Sequence, residues 1–531
     1  MTLANFFLLL SLILLSSSPF LSNAIDQNQT LQAMIIHACD KINDQDSCFS
    51  NIQSQISYHN PPAPTLVFKA ALRNTINEAN SAIDRLSQFN TLSLSNREQI
   101  AIDDCKELLD FSVSELAWSL TEMRKIHAGF QSPDSEGNLK AWLSAALSNQ
   151  DTCLEGFEGT DHKLEHLVRG SLSQVTQLIG NVLTLYTQMH SLPFKPARND
   201  NITTDFPEWM TDGDKETLVS SQNGMRADSV VALDGSGKYR SIAQAILEAP
   251  SYSERRYVIY VKKGVYKENI DMKKKKTNIM LVGDGIGKTI ITSDRNFLQG
   301  WTTFRTATVA VSGRGFIARD ITFRNTAGPL NRQGVALRVD SDQSAFYRCS
   351  MEGYQDTLYA HSLRQFYREC SISGTIDFIF GNGAAVLQNC KIFTRNPLPL
   401  QKVTITAQGR KDPHQNTGFS IQDSYVYATR PTYLGRPWKL YSRTVFMNTY
   451  LSSMVQPRGW LEWYGDFALG SLWYGEYRNY GPGAAIAGRV KWPGYHVIRD
   501  AATAGFFSVS RFLDGMSWLP ATGVKFKAGL S

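Results

Sequence analysis

Ala345-Phe346-Tyr347-Arg348-Cys349, Phe366-Tyr367-Arg368-Glu369-Cys370 and Val386-Leu387-Gln388-Asn389-Cys390 are one short pattern written three times. Aligned on their cysteines they step by 21 and 20 residues. Looser copies flank them at Phe316-Ile317-Ala318-Arg319-Asp320 and Phe419-Ser420-Ile421-Gln422-Asp423, with inward apolar residues alternating with outward polar ones. A period near twenty, carried by β-branched and aromatic runs, predicts a β-solenoid.

In a solenoid each repeat is one coil, so equivalent positions in neighbouring repeats lie one strand spacing apart, ~4.8 Å. Seven residues after Cys349 comes Asp356, in Gly353-Tyr354-Gln355-Asp356-Thr357-Leu358-Tyr359. Seven after Cys370 comes Asp377, in Gly374-Thr375-Ile376-Asp377-Phe378-Ile379-Phe380-Gly381-Asn382. In-register coils make these carboxylates vertical neighbours. Two like charges roughly 5 Å apart in a partly dry site cannot both ionise cheaply, so one holds a proton near neutrality and the pair becomes an acid beside a base or nucleophile. The alternative is that both aspartates serve turns. Their aromatic and apolar flanks differ from ordinary Gly/Asn/Ser turn clusters.

Upstream, Met1 to Ala24 carries an apolar run from Phe6 to Leu15 and a small-residue end at Ser22-Asn23-Ala24, the form of a secretory signal peptide. The apolar run is too short to span a bilayer and no later stretch supplies one, so the expected product is exported, with no membrane anchor. Asn28-Gln29-Thr30 and Asn201-Ile202-Thr203 are glycosylation sequons, at Asn28 and Asn201. At 531 residues and 42% hydrophobic content the chain has room for two or more buried domains. A net charge of +6 fits polyanionic surroundings. No nucleic-acid recognition motif accompanies it, so nucleic acid is not an expected partner.

Residues 25–190 read as helical, since Ile102, Cys105, Leu108, Leu109, Leu116, Leu120 and Met123 recur mainly at three- and four-residue steps. Four such segments with short polar breaks predict an all-α four-helix bundle. Cys39, Cys48, Cys105 and Cys153 allow two disulfides in an oxidising compartment. Of the three connectivities, Cys39 with Cys48 and Cys105 with Cys153 is preferred. The run Trp142-Leu143-Ser144-Ala145-Ala146-Leu147-Ser148-Asn149-Gln150-Asp151-Thr152-Cys153 resembles a signature of the pectin methylesterase inhibitor family, whose bundle docks over an esterase and blocks it.

Residues 191–227 dissolve into Pro, Asn, Asp, Thr and Gly and read as a linker. Plant pectin methylesterases with an inhibitor-like prodomain usually have a basic Arg-Arg-Leu-Leu kind of processing motif after such a segment. Here Asp214-Lys215-Glu216-Thr217-Leu218 stands instead, so the expectation is a bundle that stays attached longer or is removed at another linker site. Residues 228–531 open with Val230-Val231-Ala232-Leu233-Asp234-Gly235-Ser236-Gly237 and a short amphipathic helix near Ile242 to Leu247, then alternate strand-like runs with turns to the end. At twenty to thirty residues per coil this predicts one all-β right-handed parallel β-helix of roughly ten coils.

Several motifs carry less than they suggest. Gly283-Asp284-Gly285-Ile286-Gly287-Lys288-Thr289 ends like a phosphate-binding loop, but Val282 occupies the first glycine position, so it reads as a solenoid turn. His162-Lys163-Leu164-Glu165-His166 matches a short zinc pattern yet reads as an exposed helix face. Lys273-Lys274-Lys275-Lys276 reads as a solvated loop, with a contribution to polyanion binding as the alternative. No Gly-x-Ser-x-Gly elbow occurs, which argues against an α/β-hydrolase esterase.

Along nearly its whole length the second domain resembles the plant pectin methylesterases. The resemblance is carried by Gly264-Val265-Tyr266-Lys267-Glu268, Gly353 to Tyr359, Gly374 to Asn382 and Leu434-Gly435-Arg436-Pro437-Trp438. It implies a parallel β-helix that hydrolyses the methyl esters of galacturonate in pectin. It further implies that Asp377 is the nucleophile and that Asp356 protonates methanol and then activates water. Arg436 favours the charged form of Asp377 through its donor fork. Gln333 and Gln355 donate to the oxyanion, with no metal and no cofactor. Thr303, Trp438 and Trp460 are substrate contacts, and Cys370 bridges Cys390, leaving Cys349 a buried thiol. Two positions depart from the family pattern: its usual histidine before the first glutamine is Arg332, and an alanine after Gly381-Asn382 is Gly383.

The resemblance further implies pectin as partner, an intramolecular contact with the chain's own inhibitor-like domain, which blocks the esterase or assists export, and the cell wall as location. The competing classes are a pectin lyase or glycoside hydrolase, and a non-catalytic inhibitor or wall-binding protein. A lyase needs a calcium-binding acidic cluster not seen around Asp356 and Asp377, a hydrolase releases reducing ends, and an inhibitor has no use for the Asp356, Asp377 and Arg436 set. Methanol release from methylated pectin without added metal separates the three.

Overall fold

The computed structural model describes residues 19–56, 64–130, 134–189, 203–204 and 227–530. The signal-peptide segment falls mainly outside these residues, as does Asn201. Residues 19–24 and Asn28 belong to helix α1 (Pro19–Ala38).

From Ser229 onward the chain winds through three parallel sheets of eleven, eight and seven strands, a complete coil taking one strand from each. A representative coil is Ser344–Tyr347 in the first sheet, Ser350–Glu352 in the second and Leu358–Ala360 in the third. The three sequence copies stack in the register of their cysteines, Ala345 on Phe366 on Val386. The flanking copies are offset by one: Ile317 pairs with Ala345, and Val386 with Ser420. This offset puts Asp320 and Asp423 at the coil corner with Arg348, Glu369 and Asn389, all five with φ between 49° and 58°. A left-handed corner residue in successive coils turns the chain from the first sheet into the second.

The residue after that corner points inward in a column of Cys349, Cys370, Cys390, Ser424 and Thr449. Each donates to the carbonyl two residues back, from Sγ of Cys349, Cys370 and Cys390 at 3.5, 3.4 and 3.6 Å and from the hydroxyls of Ser424 and Thr449 at 2.8 and 2.9 Å. This corrects the expected Cys370–Cys390 bridge, because all three thiols are free and buried. In-register parallel neighbours keep their Cβ atoms near the ~4.8 Å strand spacing, beyond the 3.5–4.5 Å or so that a disulfide spans. The position requires a small corner-capping donor, which serine and threonine supply in later coils.

Inside the coils, Phe346, Tyr367, Leu387, Ile421, Phe446 and Tyr474 belong to a continuous core drawn wholly from residues 231–490. The β-helix therefore closes its own interior without the bundle. The outward residues of the first sheet are also apolar and buried, correcting the polar-out expectation: Phe366, Val386 and Val445 are covered by Phe507, Phe512, Trp518 and Leu519. These come from the last segment, which leaves the solenoid after Tyr495–Val497 and forms short helices Ala501–Gly505, Val509–Phe512 and Gly515–Trp518. The β-helix thus stops short of the C-terminal stretch assigned to it. Linker residues Thr203–Thr204 pair antiparallel with Phe526–Lys527.

In the N-terminal part, helices α3 (Pro64–Gln88), α4 (Asn96–His127), α5 (Ser135–Glu155) and α6 (Lys163–Met189) close a four-helix ring. The pair α1 and α2 (Gln45–Ile56) is added at its start. Disulfides join Cys39 to Cys48 and Cys105 to Cys153, the preferred connectivity. His162 Nδ1 lies 2.7 Å from Glu165 on an exposed turn, in keeping with a solvated helix face.

The Gly264–Glu268 block has a structural use: the Glu268 carboxylate accepts from Ser241 Oγ and from the backbone N–H groups of Ile242 and Ala243, capping α7 (Ile242–Glu248). At its other end Lys276 Nζ, buried, donates to the Leu247 and Ala249 carbonyls. The lysine run is therefore not a solvated loop. Lys273 and Lys274 face the bundle, where Lys273 pairs with Glu107 at 2.6 Å and Lys274 with Glu115 at 3.2 Å. The glycine-rich turn at 283–289 is a solenoid turn as read, its Asp284 accepting from Tyr260 and the Lys263 N–H.

The thiol column makes a countable prediction. Alkylation of the unreduced protein should block no cysteine in the native state and three after denaturation. One alkylated cysteine after denaturation is the result a Cys370–Cys390 bridge would give.

Candidate active site

The third sheet faces the bundle, and its register assembles the site. Leu358 pairs with Ile379, and Ile379 with Thr406. Two residues earlier in each strand approach, Asp356, Asp377 and Thr404 form one vertical column, and the Asp356 N–H donates to the Ile376 carbonyl at 3.1 Å. The next column outward holds Tyr359, Phe380, Ala407 and Arg436. Both aspartates stand at left-handed bends, φ 63° at Asp356 and 51° at Asp377. Aspartate tolerates this conformation better than most residues, and it turns each carboxylate out of the coil. The turn reading is thus correct of both residues, and it leaves their carboxylates free to serve the site.

Arg436 lies across Asp377 as a fork, Nε to Oδ1 at 2.9 Å and Nη2 to Oδ2 at 2.6 Å. Thr404 Oγ1 donates to Asp377 Oδ1 at 2.6 Å. The guanidinium reaches this place because its strand, Thr432–Pro437, packs tightly on the coil below. A Cβ on Gly435 would stand 2.0 Å from Thr406 Oγ1, so no side chain fits there. Its outer face lies over Trp463, Cζ 4.2 Å from the ring centre, a cation–π contact. Asp356 is buried, and burial, followed by the charge of Asp377, holds its pKa well above the usual carboxylate value, with Arg436 opposing. One carboxylate is clamped by charge-assisted donors while its neighbour favours the neutral form, the division of labour that acid–nucleophile pairs need.

A cavity of about 280 Å³ opens over both, lined by Thr303, Gln333, Gln355, Trp438 and Trp463 among others. Gln333 bridges Gln355 across neighbouring coils. Gln333 Oε1 is buried with no hydrogen-bond partner among the described residues. Trp438 packs 5.8 Å from Phe380, forming the apolar wall. Of the residues expected here, Asp356, Asp377, Arg436, Gln333, Gln355, Thr303 and Trp438 converge.

Trp460 does not. It is fully buried in the solenoid core, stacked 4.2 Å from Tyr474, with Nε1 donating to Glu476. Trp463, three residues on, takes the outward place. No periodic signal separates the two tryptophans, because the segment following Trp460 is irregular. Thr404 escaped the sequence reading for a related reason: it lies 27 residues after Asp377, outside the 20- to 21-residue step.

The remaining wall belongs to the bundle: Thr152, Glu155, Gly156 and Glu158 line the same cavity. The run from Trp142 to Cys153 is the docking face. Trp142 Nε1 donates to Asp342 at 3.0 Å, Ser148 Oγ accepts from Asn382 and Gln415, Asp151 pairs with Lys411, and Thr152 Oγ1 lies 2.9 Å from His361 Nε2. Helix α5 is thus buried on both sides, by its bundle and by the β-helix. Alongside it, Arg305 of the β-helix is held by Asp104 and Glu107 of α4 and by Asp271 of its own domain.

Residues 228–516 match the family described as Pectinesterase, and residues 33–185 that described as plant invertase/pectin methylesterase inhibitor. A pectinesterase/pectinesterase inhibitor of Arabidopsis thaliana is 64% identical over 516 residues, 95% of each chain. Another, of Prunus persica, is 52% identical over 472 residues, 87% of this chain and 89% of its own. Among solved structures, pectin methylesterase from carrot aligns at TM-score 0.58 and 53% identity, covering 58% of this chain and 100% of its own. The Aspergillus niger enzyme in penultimately deglycosylated form aligns at TM-score 0.50 and 27% identity, covering 58% of this chain and 99% of its own.

The buried Asp356 sets a direction for stability. An acid whose folded pKa lies above the unfolded 3.8 stabilises the fold at low pH and loses that contribution as pH rises through the folded value. Asp356→Asn should therefore raise the melting temperature relative to the parent, by a gap that widens as pH increases from about 4. Thermal melts across pH read this, and a gap that narrows with rising pH would contradict the assignment.

Proposed function

From the premise that this chain belongs to the pectinesterase family and carries an inhibitor-family domain ahead of its β-helix, we propose that Asp377 and Asp356 divide the chemistry as nucleophile and acid–base. The reaction is hydrolysis of galacturonate methyl esters in pectin, giving methanol and a free carboxylate. The reading is carried by one observation: of two stacked carboxylates, only Asp377 has the Arg436 fork across it.

Asp377 Oδ attacks the ester carbonyl carbon, and the resulting oxyanion is met by the side-chain amide donors of Gln333 and Gln355, which line the cavity. The carbon–oxygen bond to the methoxy group breaks, and Asp356 hands its proton to the departing oxygen, releasing methanol and leaving an acyl group on Asp377. Asp356, now a carboxylate, takes a proton from water. The water oxygen attacks the acyl carbon, Asp377 leaves, and both groups return to their starting state. Thr404 and Arg436 keep one face of Asp377 engaged, so the oxygen presented to the ester is fixed. Trp438 and Trp463 offer aromatic walls to the sugar rings, and Thr303 lines the same cavity. No cofactor enters this sequence.

We further infer that the bundle holds the enzyme inactive, because Thr152, Glu155 and Glu158 occupy space that a polymer must cross to reach Asp377. The accompanying domain reading is a signal peptide at 1–24, the bundle at 25–190, a linker at 191–227 and the esterase at 228–531, with export to the cell wall and sugar attached at Asn28 and Asn201. No helix among the described residues is long and apolar enough to cross a membrane. With Asp214 to Leu218 in place of paired arginines, the bundle stays attached or is removed elsewhere in the linker.

Asp377→Asn should abolish methanol release from methylated pectin while leaving the circular dichroism unchanged. Asp356→Asn should lower the rate by ~10²- to 10⁴-fold, the usual worth of positioned proton transfer. A folded Asp377→Asn protein with near-parental activity sinks the mechanism. Separately, the β-helix portion should release methanol from pectin at least ~10-fold faster than the full chain, a factor equal to about 1.4 kcal/mol of docking free energy. Equal rates would show that the bundle does not block the site.

A further inference from the structure

The third sheet lies under the bundle and the first under the C-terminal helices, through apolar clusters that draw on no outward residue of the second sheet. The second sheet has no such cover among the described residues, and its outward side chains change character along the solenoid axis. In register, Thr322, Ser350 and Ser371 are followed by Lys391, Tyr425 and Tyr450, with Tyr480 bridging on beyond. In the neighbouring outward column Arg324, Glu352 and Ser373 are followed by Phe393 and Tyr427. Ile392, Val426 and Leu451 alternate with these and fill the solenoid core, so the rings are not needed to seal it.

The five rings form one patch. Phe393 stacks on Tyr427 at 5.2 Å, Tyr425 lies 6.2 Å from Tyr427 with the ring planes 7° apart, and Tyr450 lies 5.7 Å from Tyr480. Tyr427 and Tyr480 are 36% and 48% exposed. Cross-strand ring pairs steady a ladder, which accounts for the stacking. It does not account for the charges around it. Lys391 stands in the patch, Arg430 follows Tyr427 at one margin and Arg478 precedes Tyr480 at the other, all exposed and none with a carboxylate partner among the described residues. The acids at the adjoining corner, Glu369 and Asp423, are engaged by Arg368 and Lys527. Contiguous exposed rings edged by uncommitted cations mark a contact surface for a ligand that is both ring-faced and anionic.

We propose that this aromatic end of the second sheet is a second, non-catalytic binding surface for galacturonan, with sugar rings laid on the tyrosine and phenylalanine patch and the three cations meeting carboxylates at its margins. A galactose-configured ring has one axial hydroxyl and gathers its C–H groups on the other face, an apolar plate suited to an aromatic side chain. The identity of the polymer rests on the esterase reading above. The patch is one corner away from the stacked aspartates, since Ser373, in the Phe393 column, precedes Asp377 by four residues. A single polymer can therefore lie on the second sheet and present an ester to the third. Because the bundle covers only the third sheet, the surface stays open in the full chain and holds it on the wall polymer before the catalytic cavity is uncovered.

The test is affinity electrophoresis of the full chain through gels containing unesterified polygalacturonate, which offers no ester to turn over. Tyr427→Ser combined with Tyr480→Ser should weaken Kd roughly three- to tenfold, the worth of lost aromatic contact, whereas Tyr427→Phe with Tyr480→Phe should keep most of the parent's affinity. Lys391→Gln with Arg478→Gln should flatten the salt dependence of binding. A neutral glucan chain of equal length should retard the parent less than polygalacturonate does. Methanol release from short methylated oligomers by the β-helix portion, which closes its own core, should be the same in every variant. Equal loss of binding in the serine and phenylalanine pairs, no loss in either, or a fall in methanol release with the serine pair would overturn the inference and leave the esterase reading standing. If the parent releases no methanol, the esterase reading fails while the binding result still decides the surface.

Discussion

The whole arrangement depends on one constraint, the in-register stacking of parallel coils at a spacing of ~4.8 Å. It brings Asp356 and Asp377, 21 residues apart in sequence, to adjacent rungs, and it sets Thr404 and Arg436 on the rungs beyond. Carboxylates held that close in a buried cleft cannot be equivalent, and the neighbours decide which is which. Arg436 and Thr404 donate to Asp377, while Asp356 is left with burial and a like charge. The left-handed bends at both residues are the local cost of turning these side chains outward from a coil whose interior is sealed. That sealed interior supplies the rigidity that holds the two carboxylates in one geometry.

The bundle uses the same rigid face as its seat. Helix α5 contributes to the bundle core on one side, with Leu139, Leu143 and Leu147, and to the β-helix on the other, with Trp142, Ser144 and Ser148. Next to it, Glu115 is buried against Lys274, and burial pushes its pKa up to about 7. A buried ion pair gives modest net stability, but separating its partners leaves an uncompensated charge wherever water cannot follow. Undocking exposes both groups to solvent together, so these pairs specify the docked orientation more than they strengthen it. The apolar part of the contact, Phe304, Ala310, Tyr359 and Phe380 against the bundle core, supplies the non-directional attraction.

What was legible in the sequence follows from what a period can encode. The cysteine-to-cysteine step predicted the register, and through it the meeting of the two aspartates. The helical periodicity predicted the four-helix ring but not the extra pair at its start. Chemistry that depends on side-chain direction in irregular segments was not legible, which is why Trp460 was placed at the site that Trp463 occupies. The thiols of Cys370 and Cys390 were paired by resemblance, although their true task, capping a corner carbonyl, is the one Ser424 and Thr449 perform in the next coils. The lysine run was read as solvated because its partners, Glu107, Glu115 and the Leu247 and Ala249 carbonyls, come from distant sequence. Nothing in the alternation of the last segment announced that it would leave the solenoid and cover the first sheet.

The central claim is that the stacked aspartates differ in protonation near neutrality, with the proton on Asp356. Isotope-edited difference infrared spectroscopy of the β-helix portion at neutral pH tests it most directly. The account predicts a protonated-carboxyl carbonyl band that Asp356→Asn removes and Asp377→Asn retains. A band removed by Asp377→Asn and retained in Asp356→Asn would contradict it.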